Sequence, residues 1–224
     1  MAANTFGAMR DKSIRAFLLA GLLLAAPAVV CVWRMDRFAL HLAMNGFHDP
    51  FLDSLFPVVT EFANGWVPTA LALLMLAISW RAFLMVGLST GLGAVVVQFL
   101  KQVVFSGHDR PSMFLDHMPG LPLVAGLDLH HHFSFPSGHS TAAFSMCLAL
   151  AVVIGRQVPA VALALAAGLM AYSRVYLSQH FTEDILAGAS IGCASGTVVY
   201  MLLYRGRWRL NQALDRSPWR RQNQ

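Results

Sequence analysis

Ala82–Leu100 reads AFLMVGLSTGLGAVVVQFL and carries no charged side chain from end to end. A helix needs about 20 mostly apolar residues to cross the hydrocarbon of a bilayer, so this stretch predicts a membrane-spanning helix. Ile185–Tyr204 and Ala16–Trp33 are equally free of charge. Val58–Ser79 reads as a further span, with Glu61 near its start. Ser140–Gly155 and Gln157–Ser173 are shorter runs joined by a tight link at Arg156. The expected fold class is all-α: a polytopic membrane protein built as a six-transmembrane-helix bundle.

Composition agrees. Hydrophobic residues make up 57% of the 224 and charged residues 12%, about half the roughly 25% of a soluble protein. A soluble fold needs more charge to cover its surface, and a disordered chain lacks this apolar content. The net charge of +5 does not point to nucleic acid. The charges lie between apolar runs and at the termini, not along one helix face. Cys31, Cys147 and Cys193 all sit inside apolar runs, so three free thiols are expected.

The organisation that follows is an N-terminal segment 1–15, a six-helix domain 16–204 and a basic tail 205–224. Outer loops are expected at 34–57, 106–138 and 174–183, with an amphipathic interfacial segment over Asp36–Phe56. Arg10, Lys12 and Arg15 precede the first apolar run as in a secretory signal, but no clear small-residue cleavage site follows. A retained helix is expected. Placing the termini, Arg81 and Arg156 on one side gathers eleven basic residues there against Asp11 and Asp215, with five basic and nine acidic residues opposite. Positive charge marks the cytoplasmic side, so the loops that hold the histidines face outward. Gly188, Gly192 and Gly196 recur every four residues, and Gly87 with Gly91 repeats the pattern. Such stripes let helix backbones approach closely.

Three polar clusters share the outer side. Lys101–Pro111, KQVVFSGHDRP, puts a lysine at the end of an apolar span, where a cation needs a partner or a route to water. Snorkelling would explain Lys101 alone. Ser134–Ser140, SFPSGHS, precedes the fourth span. Pro136 suits a first helical turn, and the amides of Ser137, Gly138 and His139 would follow as an anion-binding helix N-terminus. Ser173–Asp184, SRVYLSQHFTED, sets His180 and Asp184 four apart on one face. A carboxylate there can fix which imidazole nitrogen stays unprotonated, and Arg174 adds a fork of donors suited to phosphate. Two histidines in different settings can divide nucleophile and acid roles, while cations neutralise a transferring phosphoryl group. No Gly-rich nucleotide loop or Asp-rich cluster is present, and neither a metal nor another cofactor is expected.

At these residues the chain resembles the type-2 phosphatidic acid phosphatase superfamily, which is related to bacterial acid phosphatases and vanadium haloperoxidases. That pattern is Lys…Arg-Pro, then P-S-G-H, then S-R-x5-H-x3-D. Pro136-Ser137-Gly138-His139 matches in full, and Ser173-Arg174, His180 and Asp184 match in type and spacing. The first motif departs: eight residues separate Lys101 from Arg110 where the commonest form has six, and Ser106-Gly107 is a place to absorb them. The resemblance implies that His180 attacks phosphorus, Asp184 orients its ring, and His139 protonates the leaving oxygen and then activates water. It implies that Lys101, Arg110, Arg174, Ser137 and Gly138 hold the phosphate oxygens, with no metal.

The implied function is a lipid phosphatase at the outer face of a bacterial cytoplasmic membrane. Its partners would be the bilayer and a phosphorylated lipid: phosphatidic acid or phosphatidylglycerophosphate, undecaprenyl diphosphate, or lipid A. One alternative is a lipid phosphotransferase using the same site. Another is a non-catalytic anion-binding membrane protein, against which His139, His180 and Asp184 argue, because binding alone needs no acid–base pair. Neighbouring residues rarely share one metal, so His130-His131-His132 reads as a loop lining the entrance.

Overall fold

The computed structural model describes residues 2–219. Met1 and residues 220–224, which include two arginines of the expected basic tail, lie outside the described residues. Helices follow one another as α1 (Ala2–Arg34), α2 (Arg37–Met44), α3 (Pro50–Glu61), α4 (Trp66–Met75), α5 (Trp80–Phe99), α6 (Gly138–Ile154), α7 (Gln157–Tyr176) and α8 (Thr182–Tyr200). No strand occurs among the described residues.

Four stretches are long and apolar enough to cross a membrane: Gly7–Arg34, Trp80–Val104, Gln157–Tyr176 and Thr182–Arg205. The pair α3 and α4 qualifies as a fifth, bent by 53°. Large apolar side chains stand outward on these helices, among them Leu22, Leu23, Val95 and Val158. Water does not tolerate such a surface over so wide an area, whereas lipid does.

α6 is the shorter apolar helix at the centre, packed on by α1, α5, α7 and α8. Its small residues explain the arrangement. Ala143, Ala149, Ala151 and Ser145 are fully buried, and a helix apolar on every side is one enclosed on every side. The glycine stripe of α8 faces α6. A Cβ on Gly188 would collide with the Ser137 carbonyl, and one on Gly192 would lie 2.6 Å from the Thr141 carbonyl. On α5 the close approach is made by Gly93, where a Cβ would fall 2.8 Å from Thr141 Cγ2. Gly91 has open space and takes no part, so only half of the expected α5 stripe is an interface.

Several expectations need correction. Residues 34–57, expected as an outer loop with an amphipathic segment, hold α2 and the first turns of α3, each capped by an aspartate. Asp36 accepts the amides of Phe38 and Ala39, and Asp49 those of Phe51 and Leu52. The expected second span is therefore broken, at the turn through Asn64 and Gly65, into α3 and α4. The segment 1–15 continues α1 over its described part rather than standing apart. Residues 205–219 fold back against the end of the bundle. Arg81, 4% exposed, donates to the Asp215 carboxylate at 2.6 Å and to the Asn211 carbonyl at 2.8 Å, while the Ser217 hydroxyl donates to the Leu76 carbonyl. The tight link at Arg156 is a left-handed Gly155 closing α6, with φ of 68°.

Candidate active site

The three polar clusters meet at one end of α5, α6 and α8. α5 passes there into a π-helical turn, Leu100–Val104, in which the Phe105 amide reaches the Leu100 carbonyl at 2.7 Å. A π turn inserts a residue into α-helical register, and a turn at Ser106-Gly107 follows it. Together they accommodate the eight-residue spacing. Lys101 is 9% exposed, and its Nζ donates to the Phe133 carbonyl at 2.9 Å. It is held inward, not snorkelling.

Arg110 reaches the same segment from the other side. Its Nε donates to the His132 carbonyl at 2.9 Å and its backbone amide to the His131 carbonyl at 2.8 Å. A terminal guanidinium nitrogen donates to the Gln179 carbonyl at 3.0 Å, and the Gln179 side-chain amide donates onward to the Asp128 carbonyl. Residues 128–133 are thus strapped to the loop that precedes α8. Neither Gln179 nor this strapping role was foreseen.

α6 begins at Gly138, with Ser137 as its cap. Pro136 therefore lies before the cap, not in the first turn as expected, and the Phe135–Pro136 peptide is cis. The Ser137 amide is not free either: it donates to the Asp184 carbonyl at 3.0 Å, which ties the start of α6 to the first turn of α8. The Ser137 hydroxyl accepts from the Ser140 amide and hydroxyl and retains its own hydrogen. The amides of Gly138 and His139 stand first and second in the helix, where no intrahelical acceptor exists. A Cβ on Gly138 would meet nothing closer than Val97, at 3.8 Å.

The third cluster is the most tightly determined. His180 and Asp184 are each 1% exposed, with His180 Nδ1 3.3 Å from Asp184 Oδ2. The same carboxylate oxygen accepts the Phe181 amide at 2.9 Å and a short bond from the Ser134 hydroxyl. Ser134 also lies 3.4 Å from His180 Nδ1, so one serine spans both. Its place in the SFPSGHS stretch is the sequence's signal of it. With Nδ1 engaged, Nε2 is the nitrogen left for chemistry.

Burial pushes His180 well below its ordinary value, and the charges of Arg110, Arg174 and Lys101 push the same way. Those three cations act on His139 as well. Arg174, 6% exposed, donates to the Thr60 hydroxyl at 2.9 Å. Its Nε is buried without a partner among the described residues.

Two cavities open here. One, of about 420 Å³, is lined by Lys101, Arg110, His130, His131, His132 and Phe133. The triple-histidine loop thus borders the site. The other, of about 370 Å³, is lined by His139 and Arg174 together with residues of α3 and of the 126–130 segment. His180, Asp184 and Ser137 line neither and lie in the packed wall.

A further buried group went unnoticed in the sequence. His41 of α2, 1% exposed, places Nε2 3.2 Å from the Ser178 hydroxyl and 3.2 Å from Asn45 Nδ2, behind the loop that carries His180. Burial pushes it down to about 4, with Asp184 opposing and Arg37 adding to the shift.

Comparison with known proteins gives the chain's family and fold. The PAP2 superfamily pattern matches residues 82–208. A lipid A 4'-phosphatase of Bacteroides thetaiotaomicron is 27% identical over 174 residues, covering 74% of this chain and 76% of its own length. The undecaprenyl-diphosphatase BcrC of Bacillus subtilis is 27% identical over 175 residues, covering 73% and 82%. The crystal structure of Aquifex aeolicus LpxE superposes with a TM-score of 0.64 at 27% identity, over 74% of this chain and 96% of that one. A transmembrane PAP2-type phosphatidylglycerolphosphate phosphatase from Bacillus subtilis shares the fold, with a TM-score of 0.63 at 24% identity over 88% and 99%.

Proposed function

The chain belongs to the PAP2 superfamily, a hydrolase of phosphate esters in a membrane, and from that premise we propose a lipid phosphatase that works through a phosphohistidine at His180. The observation that carries this reading is the held imidazole: Asp184 and Ser134 engage Nδ1 of a buried His180, and three cations act on that ring.

His180 Nε2 attacks phosphorus while the bond to the lipid oxygen breaks, and His139 gives that oxygen its proton. His139 then takes a proton from water as the water oxygen attacks phosphorus. The P–N bond breaks, releasing phosphate and restoring His180. Lys101, Arg110, Arg174, the Ser137 hydroxyl and the Gly138 amide stabilise the oxygens as charge builds on them. Asp184 keeps the ring in the attacking tautomer.

The same reading gives six passes, with the bent α3–α4 pair as the second and α6 as the fourth. The catalytic domain spans 16–204, and both termini lie in the cytoplasm of a bacterium. The site then opens at the outer face of the cytoplasmic membrane, because eleven cations mark the other side. A reporter fused after Gln224 should be active only if it folds in the cytoplasm, and external labelling there would overturn the orientation. The substrates are lipid phosphates of the kind that the relatives' names describe: lipid A, an undecaprenyl diphosphate, or a phosphatidylglycerophosphate. Phosphate release by purified protein from such a panel, with excess chelator, tests the reading. No release from any member would reject it.

A further inference from the structure

The cavity lined by His139 and Arg174 holds an anomaly. A site for a phosphate ester gains from positive charge, yet this one is also lined by Glu61 and Asp128. Its neighbour, lined by Lys101 and Arg110, has no carboxylate in its wall. The acids are gathered on one side only.

Helix geometry does not call for Glu61, although its charge also acts on Arg174 in the same wall. Glu61 is the last residue of α3, where the helix dipole disfavours an anion. Asn64 donates to its Oε2 at 3.1 Å, which fixes its direction. Asp128 is anchored through its backbone carbonyl by Gln179, the residue that also takes Arg110. Its position is therefore tied to the phosphate cradle, while the residue itself is exposed. Two anions beside an anionic substrate cost affinity by like-charge repulsion, unless the substrate brings donors to meet them.

The mechanism says which part of the substrate lies there. Arg174 in this wall holds the phosphoryl oxygens and His139 protonates the leaving oxygen, so the part of the cavity beyond both faces the leaving group. We infer that Glu61, Asn64 and Asp128 form a leaving-group subsite that selects a lipid whose phosphate is carried on a hydroxyl- or ammonium-rich unit, a sugar or amino sugar. The inference rests on the phosphatase reading above. Apart from the one hydroxyl formed when His139 protonates its oxygen, a diacylglycerol offers these carboxylates no donor. The second phosphate of a diphosphate is repelled. A sugar gives hydroxyl hydrogens to both carboxylates and can take the Asn64 amide.

The test compares kcat/KM on a phosphorylated glucosamine lipid and on phosphatidic acid, for the wild type and for Glu61→Gln with Asp128→Asn. Both residues are exposed and both replacements keep the shape, so the fold is not at stake. Wild type should prefer the sugar phosphate. In the double variant the sugar-phosphate rate should fall and the phosphatidic acid rate rise, shifting their ratio by about tenfold or more, as lost charged hydrogen bonds predict. Equal changes on both substrates would mean that the acids only balance Arg174, and a wild-type preference for phosphatidic acid would likewise overturn the subsite while leaving the phosphatase reading intact. Wild type inert towards both lipids but active on another lipid phosphate would overturn the subsite alone, and wild type inert towards every member of the panel would overturn that reading and the subsite with it.

Discussion

Ser134 donates its hydroxyl to Asp184 Oδ2 and lies 3.4 Å from His180 Nδ1, so a residue fifty positions before the carboxylate completes its setting. The 128–134 segment is brought there by Lys101 and Arg110, which hold the carbonyls of Phe133 and His132. Lys101 and Arg110 thus also shape the wall against which His180 rests.

Removing that hydroxyl should act through His180. Ser134→Ala leaves Asp184 with the Phe181 amide and the imidazole, but loses one hydrogen bond to a charged group, worth about 1.5–3 kcal/mol. A kcat reduced by about tenfold or more, with KM little changed, is expected in steady-state assays. A KM effect alone would assign Ser134 to substrate binding instead.

His139 should matter in proportion to the leaving group. Nitrophenolate leaves phosphorus without needing a proton, whereas a lipid alkoxide needs one. His139→Ala should therefore cripple lipid phosphate hydrolysis by roughly the 10²–10⁴-fold of general acid catalysis, and slow the first step on the nitrophenyl ester far less. Equal losses in the burst phase on both substrates would place His139 elsewhere in the cycle.

Gly188 and Gly192 should both resist substitution, with different consequences. Overpacking of this kind costs about 1–3 kcal/mol, read as a lower melting temperature in detergent. Gly188→Ala displaces the Ser137 carbonyl and with it the cap of the helix that carries His139. It should lose more activity per degree of melting than Gly192→Ala, whose Cβ meets Thr141 one turn further in.

Acid should unfold the protein through its buried histidines. His41 is held down to about 4 by burial, and His180 is also held below its ordinary value. Below about pH 6.5 the unfolded chain binds protons that the folded one refuses, so stability falls as pH drops from there towards 4. Melting temperatures recorded across that window should decline for the wild type and more shallowly for His41→Gln. Parallel curves would show that His41 is not the neutral buried group described.

The sequence made the spans and the two long motifs legible because both depend on local signals: charge-free runs and fixed spacing along one helix face. Its errors have a common physical origin. The break between α3 and α4 depends on a turn at Asn64-Gly65 inside an otherwise apolar run, and the α2 helix is marked only by its aspartate cap. Hydropathy averages over both. Gln179, Ser134, Thr60 and His41 escaped because each acts through a contact with a distant segment, such as Thr60 with Arg174, and such pairings leave no periodicity. Lys101 and Arg110 are legible, with two extra residues between them for which Ser106-Gly107 offers room. The π turn that accommodates the spacing is a backbone feature that residue types do not announce.

The central claim is that His180 is the nucleophile. Rapid-quench trapping with a labelled lipid phosphate tests it most directly. Wild type should yield an acid-labile phosphoenzyme within one turnover, and His180→Ala should yield none, with turnover lost as well. A phosphoenzyme trapped from His180→Ala would contradict the account.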